Sequence, residues 1–421
     1  MGYKFDTLQV HGGHTPDRAS LSRAVPIYQS TSFVFEDSGH AASLFDLSRK
    51  GNIYTRISNP TTAVLEDRVT LLEDGVGSVA TASGTAAILY SIFNIAGAGD
   101  EIISSRALYG GTTHLFESTI KNMGIRVNFV NINDPNEIKD LITDRTKAIF
   151  TETVGNPMNT VADLAMIAET AHDHGIPLIV DNTVTTPYLL RPFEHGADIV
   201  VHSLTKFMGG HGVSIGGIVT DSGKTDWDAF KRLSTPDPDL NGLNFKQSFG
   251  DAAYIARLRT VVLRDTGACI SPFNAFTILL GIETLSLRMA RHCENAMKVA
   301  EFLENHPRVQ WVNYPGLKNH PDHDLAARYL KKGFGAIISF GPKGGYETAR
   351  NTVDRVRLIS HLANIGDAKS LIIHPASTTH QQLNAQQQKA SGIVPEMIRL
   401  SIGIEDPDDI ISDLDQVLKG A

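Results

Sequence analysis

The chain has 421 residues, 42% of them apolar, with 36 glycines and 18 prolines. That is the composition of a globular, turn-rich protein of two or three domains, and it excludes a disordered chain. Thirty-eight basic against 46 acidic side chains leave a formal net charge of −8, which gives no electrostatic basis for nucleic-acid binding.

No apolar run approaches the ~18 residues of a membrane span. The opening Met1-Gly-Tyr-Lys-Phe-Asp lacks an apolar signal core, and Cys269 and Cys293 match neither C-x-x-C nor a zinc spacing. A cytoplasmic protein with reduced thiols and no metal is expected.

Residues 1–58 show no sustained periodicity and read as an arm. Asn59-Pro60 is a helix start; Leu65, Val69 and Leu72 follow at helical spacing, Glu66, Asp67 and Arg68 supply the wet face, and Gly75 ends the element. From about 77 to 220, apolar runs alternate with helical stretches. The runs are Glu101-Ile-Ile, Val127-Asn-Phe-Val, Ala148-Ile-Phe, Pro177-Leu-Ile-Val, Asp198-Ile-Val-Val and Gly217-Ile-Val. The continuously apolar ones near 148, 178 and 199 suit strands buried on both faces, and the alternation predicts an α/β fold with a parallel sheet flanked by helices. Residues 223–250, with Pro236 and Pro238, read as a polar connecting excursion. A long helical region over 251–305 follows. Runs at Ala336-Ile-Ile, Leu371-Ile-Ile and Met397-Ile-Arg-Leu then predict a smaller α+β domain.

Ligands of open parallel sheets sit beyond the carboxyl ends of the strands. The polar residues there are Ser83-Gly84-Thr85, Glu152 with Asn156, Asp181-Asn182-Thr183, and Ser203-Leu204-Thr205-Lys206. Each has an ordinary reading. Ser83 is a helix N-cap, Asp181 a strand-end cap, Lys206 one more surface lysine. Each also has a chemical one. Gly84 at a helix start lets backbone N–H groups meet an anion, Asp181 after four apolar residues is a desolvated acid, and a lysine desolvated in a pocket becomes nucleophilic. Together, a lysine for a Schiff base, an acid for a pyridinium nitrogen and a helix N-terminus for a phosphate are the parts a protein supplies to pyridoxal phosphate.

Two rival motifs fail on context. Gly212-Val-Ser214-Ile-Gly216 fits a nucleophile elbow, but a Gly-rich loop precedes it and a strand follows. Gly75-Val-Gly77-Ser-Val-Ala80 fits a dinucleotide fingerprint, but it follows a helix and precedes a strand. His172 and His174 are two apart on a helix, and the His374 to His380 spacing has no geometric meaning for a metal.

At Asp198-Ile-Val-Val-His-Ser-Leu-Thr-Lys-Phe-Met-Gly-Gly the chain resembles the cysteine/methionine-metabolism family of pyridoxal-phosphate enzymes. The likeness runs through Tyr54-Thr-Arg56-Ile-Ser-Asn-Pro, Ala82-Ser-Gly-Thr-Ala-Ala, Leu108-Tyr-Gly-Gly-Thr, Glu152 to Asn156-Pro157, Val180-Asp-Asn-Thr, His374-Pro-Ala-Ser-Thr-Thr-His and Arg399-Leu-Ser-Ile-Gly. Three features are similar to the sulfhydrylase branch: the 223–250 excursion with Ser234-Thr-Pro-Asp-Pro, Thr266-Gly-Ala-Cys-Ile-Ser-Pro-Phe-Asn-Ala-Phe, and Ala363-Asn364-Ile-Gly-Asp367 with Asn where the synthases and lyases have Ser. Gly111 stands where methionine γ-lyases carry a reactive cysteine.

The resemblance implies the aspartate aminotransferase-like fold (fold type I), with an arm (1–58) completing the neighbouring subunit's site, a large cofactor-binding domain (59–258) and a C-terminal α+β domain (259–421). It implies pyridoxal 5'-phosphate as cofactor and γ-replacement on O-acetylhomoserine with sulfide or methanethiol, in a homotetramer built as a dimer of dimers. The alternatives are the succinyl ester, cystathionine γ-synthase or methionine γ-lyase chemistry, and, outside catalysis, a binding protein on the same fold. It also implies roles. Lys206 holds the cofactor and then serves as mobile base; Asp181 binds the pyridinium N–H; Tyr109 stacks on the ring and takes a proton from the incoming amine. Gly84, Thr85, Ser203 and Thr205 serve the phosphate and Asn156 the ring hydroxyl, with Thr183 beside them. Arg399, helped by Asn364, clamps the substrate carboxylate. Tyr54 and Arg56 reach the neighbouring subunit's phosphate, Tyr54 also touching substrate.

Overall fold

The computed structural model describes residues 2–379, 381 and 392–420. His380, named above in the His374 motif, lies outside them.

All six apolar runs between 101 and 220 form strands. Together with β1 (Gly77–Thr81) they are β2 (Glu101–Ser105), β3 (Arg126–Val130), β4 (Thr146–Glu152), β5 (Leu178–Asp181), β6 (Ile199–Ser203) and β7 (Gly217–Asp221), in one seven-stranded sheet of order β1-β7-β6-β5-β4-β2-β3. The interior strands β4 to β6 are buried on both faces, which is why they read as continuous apolar runs. Each such side chain contributes roughly 1.5–3 kcal/mol by leaving water. The sheet is parallel except for β7, which runs antiparallel to both β6 and β1. The alternation rule does not cover this strand. No helix lies between Ser203 and Gly217, and a parallel neighbour would need such a crossover.

Helix α1 (Phe5–His11) and helix α2 (Ser38–Phe45) interrupt the otherwise irregular first 58 residues. Helix α3 (Pro60–Glu73) starts where expected, with Asn59 accepting from the Thr61 N–H at 2.9 Å. Two details differ from the sequence reading. The residue in the left-handed conformation at its end is Asp74 (φ 64°), while Gly75 is there because a side chain would meet the Asp221 carbonyl at 2.7 Å. Glu66 and Arg68 are buried, not wet; only Asp67 of the three faces solvent. Glu66 accepts from the Ala80 N–H (2.8 Å) and Arg259 (2.7 Å), and Arg68 donates to the Gly12 carbonyl (2.9 Å) and pairs with Glu283 (3.4 Å). Charge is drawn inward because backbone groups of the arm and of β1 require partners there.

The excursion 223–250 is more than a polar connector. Trp227, Phe230, Leu233 and Phe245 are buried, and Trp227 stacks on Tyr254 with centroids 5.1 Å apart. The expected long helix over 251–305 is broken. Gly267, at φ 86°, turns the chain left-handed, and Ser271-Pro272 opens a new helix, α4 (Pro272–Ile282), before α5 (Leu285–Asn305). Beyond it, β8 (Val309–Asn313), β9 (Ile337–Pro342), β10 (Ser360–His361), β11 (Leu371–Ile373) and β12 (Ile398–Ser401) make a second, mixed sheet of order β10-β11-β12-β9-β8. One apolar cluster joins Val180 and Val200 of the first sheet to Ile338 and Leu400 of the second, so the two sheets share a core.

Candidate active site

The carboxyl ends of β4, β5 and β6 open on one side of the large sheet, and β1 meets them there through a short turn. After β1, Ser83 caps the helix Gly84–Phe93 by accepting from the Ala86 N–H at 3.2 Å. This leaves the first-turn N–H groups of Gly84 and Thr85 without intrahelical partners, at the positive end of a helix dipole. Gly84 packs on β6: a side chain there would meet Ser203 Cβ at 2.5 Å. After β5, the Asp181 carboxylate accepts from the Thr183 N–H at 3.0 Å, and Thr183 Oγ1 accepts from the Ser203 N–H at 2.8 Å. Thr205 Oγ1 binds the backbone of Gly216. The second sheet faces these strand ends with Arg399 of β12 and with the 363–365 loop.

Apart from Ala86, Phe93 and Gly216, these residues line one cavity of about 280 Å³, together with Lys206, Tyr109, Glu152 and Asn156. That is close to the lower end of small-molecule pockets, roughly 300–1,000 Å³. Lys206 Nζ donates to Asn364 Oδ1 at 2.6 Å. Arg399 donates through one Nη to Asn156 Oδ1 (3.3 Å) and through the other to the Asn364 carbonyl (3.0 Å). Burial, aided by the Arg399 charge, lowers the Lys206 amine to about 8, and burial lowers Arg399 to about 10. The Glu152 carboxyl is pushed well up by burial and by the neighbouring Asp181, and burial also raises Asp181, opposed by its hydrogen bonds from Thr183. Tyr109 is half exposed, with its N–H held by Glu152 at 2.6 Å, and a side chain at Gly111 would run into its ring.

The residues fit a phosphate-bearing pyridine aldehyde on three structural counts. A desolvated amine with a lowered proton affinity faces the cavity. An open helix N-terminus is kept clear by a glycine. The buried Asp181 carboxylate in the same lining can accept from a ring N–H, while Arg399 Nε, buried without a partner among the described residues, is left for a second anion. Pyridoxal phosphate would be held by Lys206 at its aldehyde, by Gly84, Thr85, Ser203 and Thr205 at its phosphate, and by Asp181 at its nitrogen.

Tyr54 and Arg56 stand apart from this cavity in their own chain. The Arg56 guanidinium lies 5.5 Å from the Tyr54 ring centroid and bonds the Arg264 carbonyl. No group of three or more His, Cys, Asp or Glu able to hold a metal occurs among the described residues. His172 bonds Asp198 at 2.8 Å instead. Ser214 bonds Thr277 and sits on no elbow; its neighbour Ile215 is part of the cavity wall. Ile215, Ile88, Val154 and Val184, the apolar wall, carried no signal in the sequence beyond lying near strand ends. The contact between Glu152 and Tyr109 was equally silent, being made through a backbone N–H.

The family model for Cys/Met metabolism PLP-dependent enzymes matches residues 6–419. The O-acetyl-L-homoserine sulfhydrylase of Leptospira meyeri is 51% identical over 99% of this chain and 97% of its own length. The homocysteine synthase of Schizosaccharomyces pombe is 50% identical over 99% and 98%. A solved structure from Campylobacter jejuni, assigned as an O-acetylhomoserine (thiol)-lyase and carrying a pyridoxyl-lysine monophosphate, superposes with a TM-score of 0.95 at 42% identity, covering 99% of this chain and all of that one.

Proposed function

The chain belongs to the Cys/Met metabolism PLP-dependent enzyme family, and we propose that it replaces the acetate of O-acetyl-L-homoserine with sulfide, giving L-homocysteine. With methanethiol as the nucleophile the product is L-methionine. The observation that carries this reading is the pairing, across one cavity, of a desolvated lysine with an arginine whose buried Nε has no partner among the described residues: one suits the cofactor, the other an amino-acid carboxylate. Relatives about half identical along the whole chain name the acetyl ester.

The bound cofactor supplies an electron-withdrawing ring to the substrate's Cα. Every remaining step is assigned to the chain's own groups. Asp181 keeps the ring nitrogen protonated. Tyr109, half exposed at the cavity mouth, takes a proton from the incoming substrate amine. Arg399 holds the α-carboxylate in a two-pronged grip with Asn364 alongside, a geometry that suits guanidinium better than ammonium. Lys206, once its amine is free, moves protons at Cα and then at Cβ, so that acetate on Cγ can depart and sulfide add in its place. A single mobile base serves both carbons because they are adjacent.

Residues 1–58 are the arm by which each subunit completes its neighbour's site, with Tyr54 and Arg56 reaching the neighbour's phosphate and Tyr54 its substrate. Residues 59–258 form the large cofactor-binding domain and 259–421 the C-terminal α+β domain. The assembly is a homotetramer of two such dimers, working in the cytoplasm. No helix among the described residues is long and apolar enough to cross a membrane.

The test is a product assay with O-acetyl- and O-succinylhomoserine, each with sulfide, methanethiol and cysteine. Homocysteine and acetate as the dominant products from the acetyl ester and sulfide are expected. Cystathionine as the main product, or release of ammonia and a keto acid in place of thiol addition, would overturn the reading.

A further inference from the structure

Glu152 and Asp181 end adjacent parallel strands and are direct register partners, so their side chains rise on the same face of the sheet. Both are buried, both line the cavity, and neither forms an ion pair among the described residues. Ionising both of two carboxyls so placed is costly, because each charge repels the other in a buried setting.

The surroundings differ between the two. Asp181 accepts from Thr183, and His202, on the opposite face of β6, adds a favourable charge effect. Glu152 accepts the Tyr109 N–H at 2.6 Å and the Asn156 N–H, but burial and the adjacent Asp181 dominate its environment. The cations across the cavity are otherwise engaged: Lys206 with Asn364, Arg399 with Asn156 and Asn364. Arg106, on the connection after β2, is turned away to Glu137.

We propose that Glu152 is a positioning residue of this site: its carboxyl ties the loop carrying Tyr109 to the strand pair carrying Asp181, and it keeps the single proton that the two carboxyls hold. The consequence is a division of labour between two acids one strand apart. Asp181 presents the one negative charge, matched to a pyridinium. Glu152 works by its shape and hydrogen bonds, fixing the entry to the short helix Gly110–His114 and with it the ring of Tyr109. The inference rests on the cofactor site proposed above, though not on the identity of the ester or the thiol.

The experiment compares the holoenzyme with Glu152→Gln and Glu152→Ala. Glutamine mimics the neutral acid, so Glu152→Gln should keep kcat within about threefold and leave the pH dependence of the visible cofactor band unshifted. Alanine leaves the Tyr109 N–H unpartnered, so Glu152→Ala should lower kcat at least tenfold. A deuterium-sensitive carboxylic-acid C=O stretch in the infrared spectrum at neutral pH should be present in wild type and missing from Glu152→Gln. A carboxylic-acid C=O stretch that is absent from wild type, or that persists undiminished in Glu152→Gln, would overturn the proposal, as would a loss of activity in Glu152→Gln as deep as in Glu152→Ala. So would full activity in Glu152→Ala. A wild type inactive on O-acetylhomoserine with sulfide would sink the substrate reading instead. The infrared comparison uses no substrate and would still decide on Glu152.

Discussion

A half-buried lysine and a buried arginine share this cavity, and among the described residues neither forms an ion pair. Their charges repel, and burial penalises both. The penalty falls on Lys206, which can shed its proton, while Arg399 stays charged. The sign follows: below about 8 the amine is protonated and cannot attack an aldehyde, and above it the neutral form dominates. The rate at which pyridoxal phosphate is captured by cofactor-stripped protein should therefore rise with pH and level off just above 8. A rate still climbing tenfold per unit beyond pH 9 would mean an ordinary, solvated lysine. Arg399→Lys keeps the charge and loses the two-pronged geometry, so kcat/KM for O-acetylhomoserine should fall by about 10- to 100-fold, equivalent to about 1.4–2.8 kcal/mol. An unchanged value in steady-state kinetics would place the carboxylate elsewhere. At this scale the sequence was most legible where a residue's place after a strand carries its meaning, as with Asp181 and Lys206. Arg399 was found through its motif alone. Glu152 stood in the right place without a role, because what it touches is a backbone N–H and a carboxyl brought near by strand register.

Elements were legible in proportion to how uniformly they are buried. The runs near 148, 178 and 199 stood out because both faces of the sheet are covered, and Asn59-Pro60 because capping chemistry is local. Local pattern could not show that Glu66 and Arg68 turn inward, since Arg259 and Glu283 are distant in sequence, whereas the reversal of β7 and the break at Gly267 have local causes, a connection without a helix and a left-handed glycine ahead of Ser271-Pro272, that the strand–helix alternation and the apolar spacing do not register. The contact between the Gly84–Phe93 helix and β6 is the element-level feature on which the proposed phosphate site depends. Gly84→Ala would drive a methyl into Ser203 Cβ at 2.5 Å and Cα at 2.9 Å, pushing the helix N-terminus off the strand. Cofactor affinity, followed by visible absorbance during titration, should weaken at least tenfold while the melting temperature of the stripped protein shifts by only a few degrees. Unaltered affinity would show that the phosphate lies elsewhere.

The whole molecule carries an apolar surface that one chain does not cover. In the arm, Val34 is 95% exposed, Leu21 78% and Phe45 68%, and Tyr54 and Arg56 are presented away from their own cavity. The two-fold shared site proposed above accounts for both facts, and it is tested by recovery of function on mixing. Arg56→Ala and Lys206→Ala should each be nearly inactive. In a mixed dimer one site receives both lesions and the other neither; random pairing makes half the dimers mixed, so about a quarter of wild-type activity should return. No recovery after verified subunit exchange would mean that Arg56 serves its own chain. Whether the strand-end cavity carries the cofactor on Lys206 is read directly by borohydride trapping. The purified protein is reduced with borohydride, which locks the cofactor onto whichever amine bears it, then digested and mapped by mass. The pyridoxyl phosphate mass is expected on the peptide containing Lys206 alone, with loss of the visible band. A reduced protein with no added mass, or with the mass on another lysine, would contradict it.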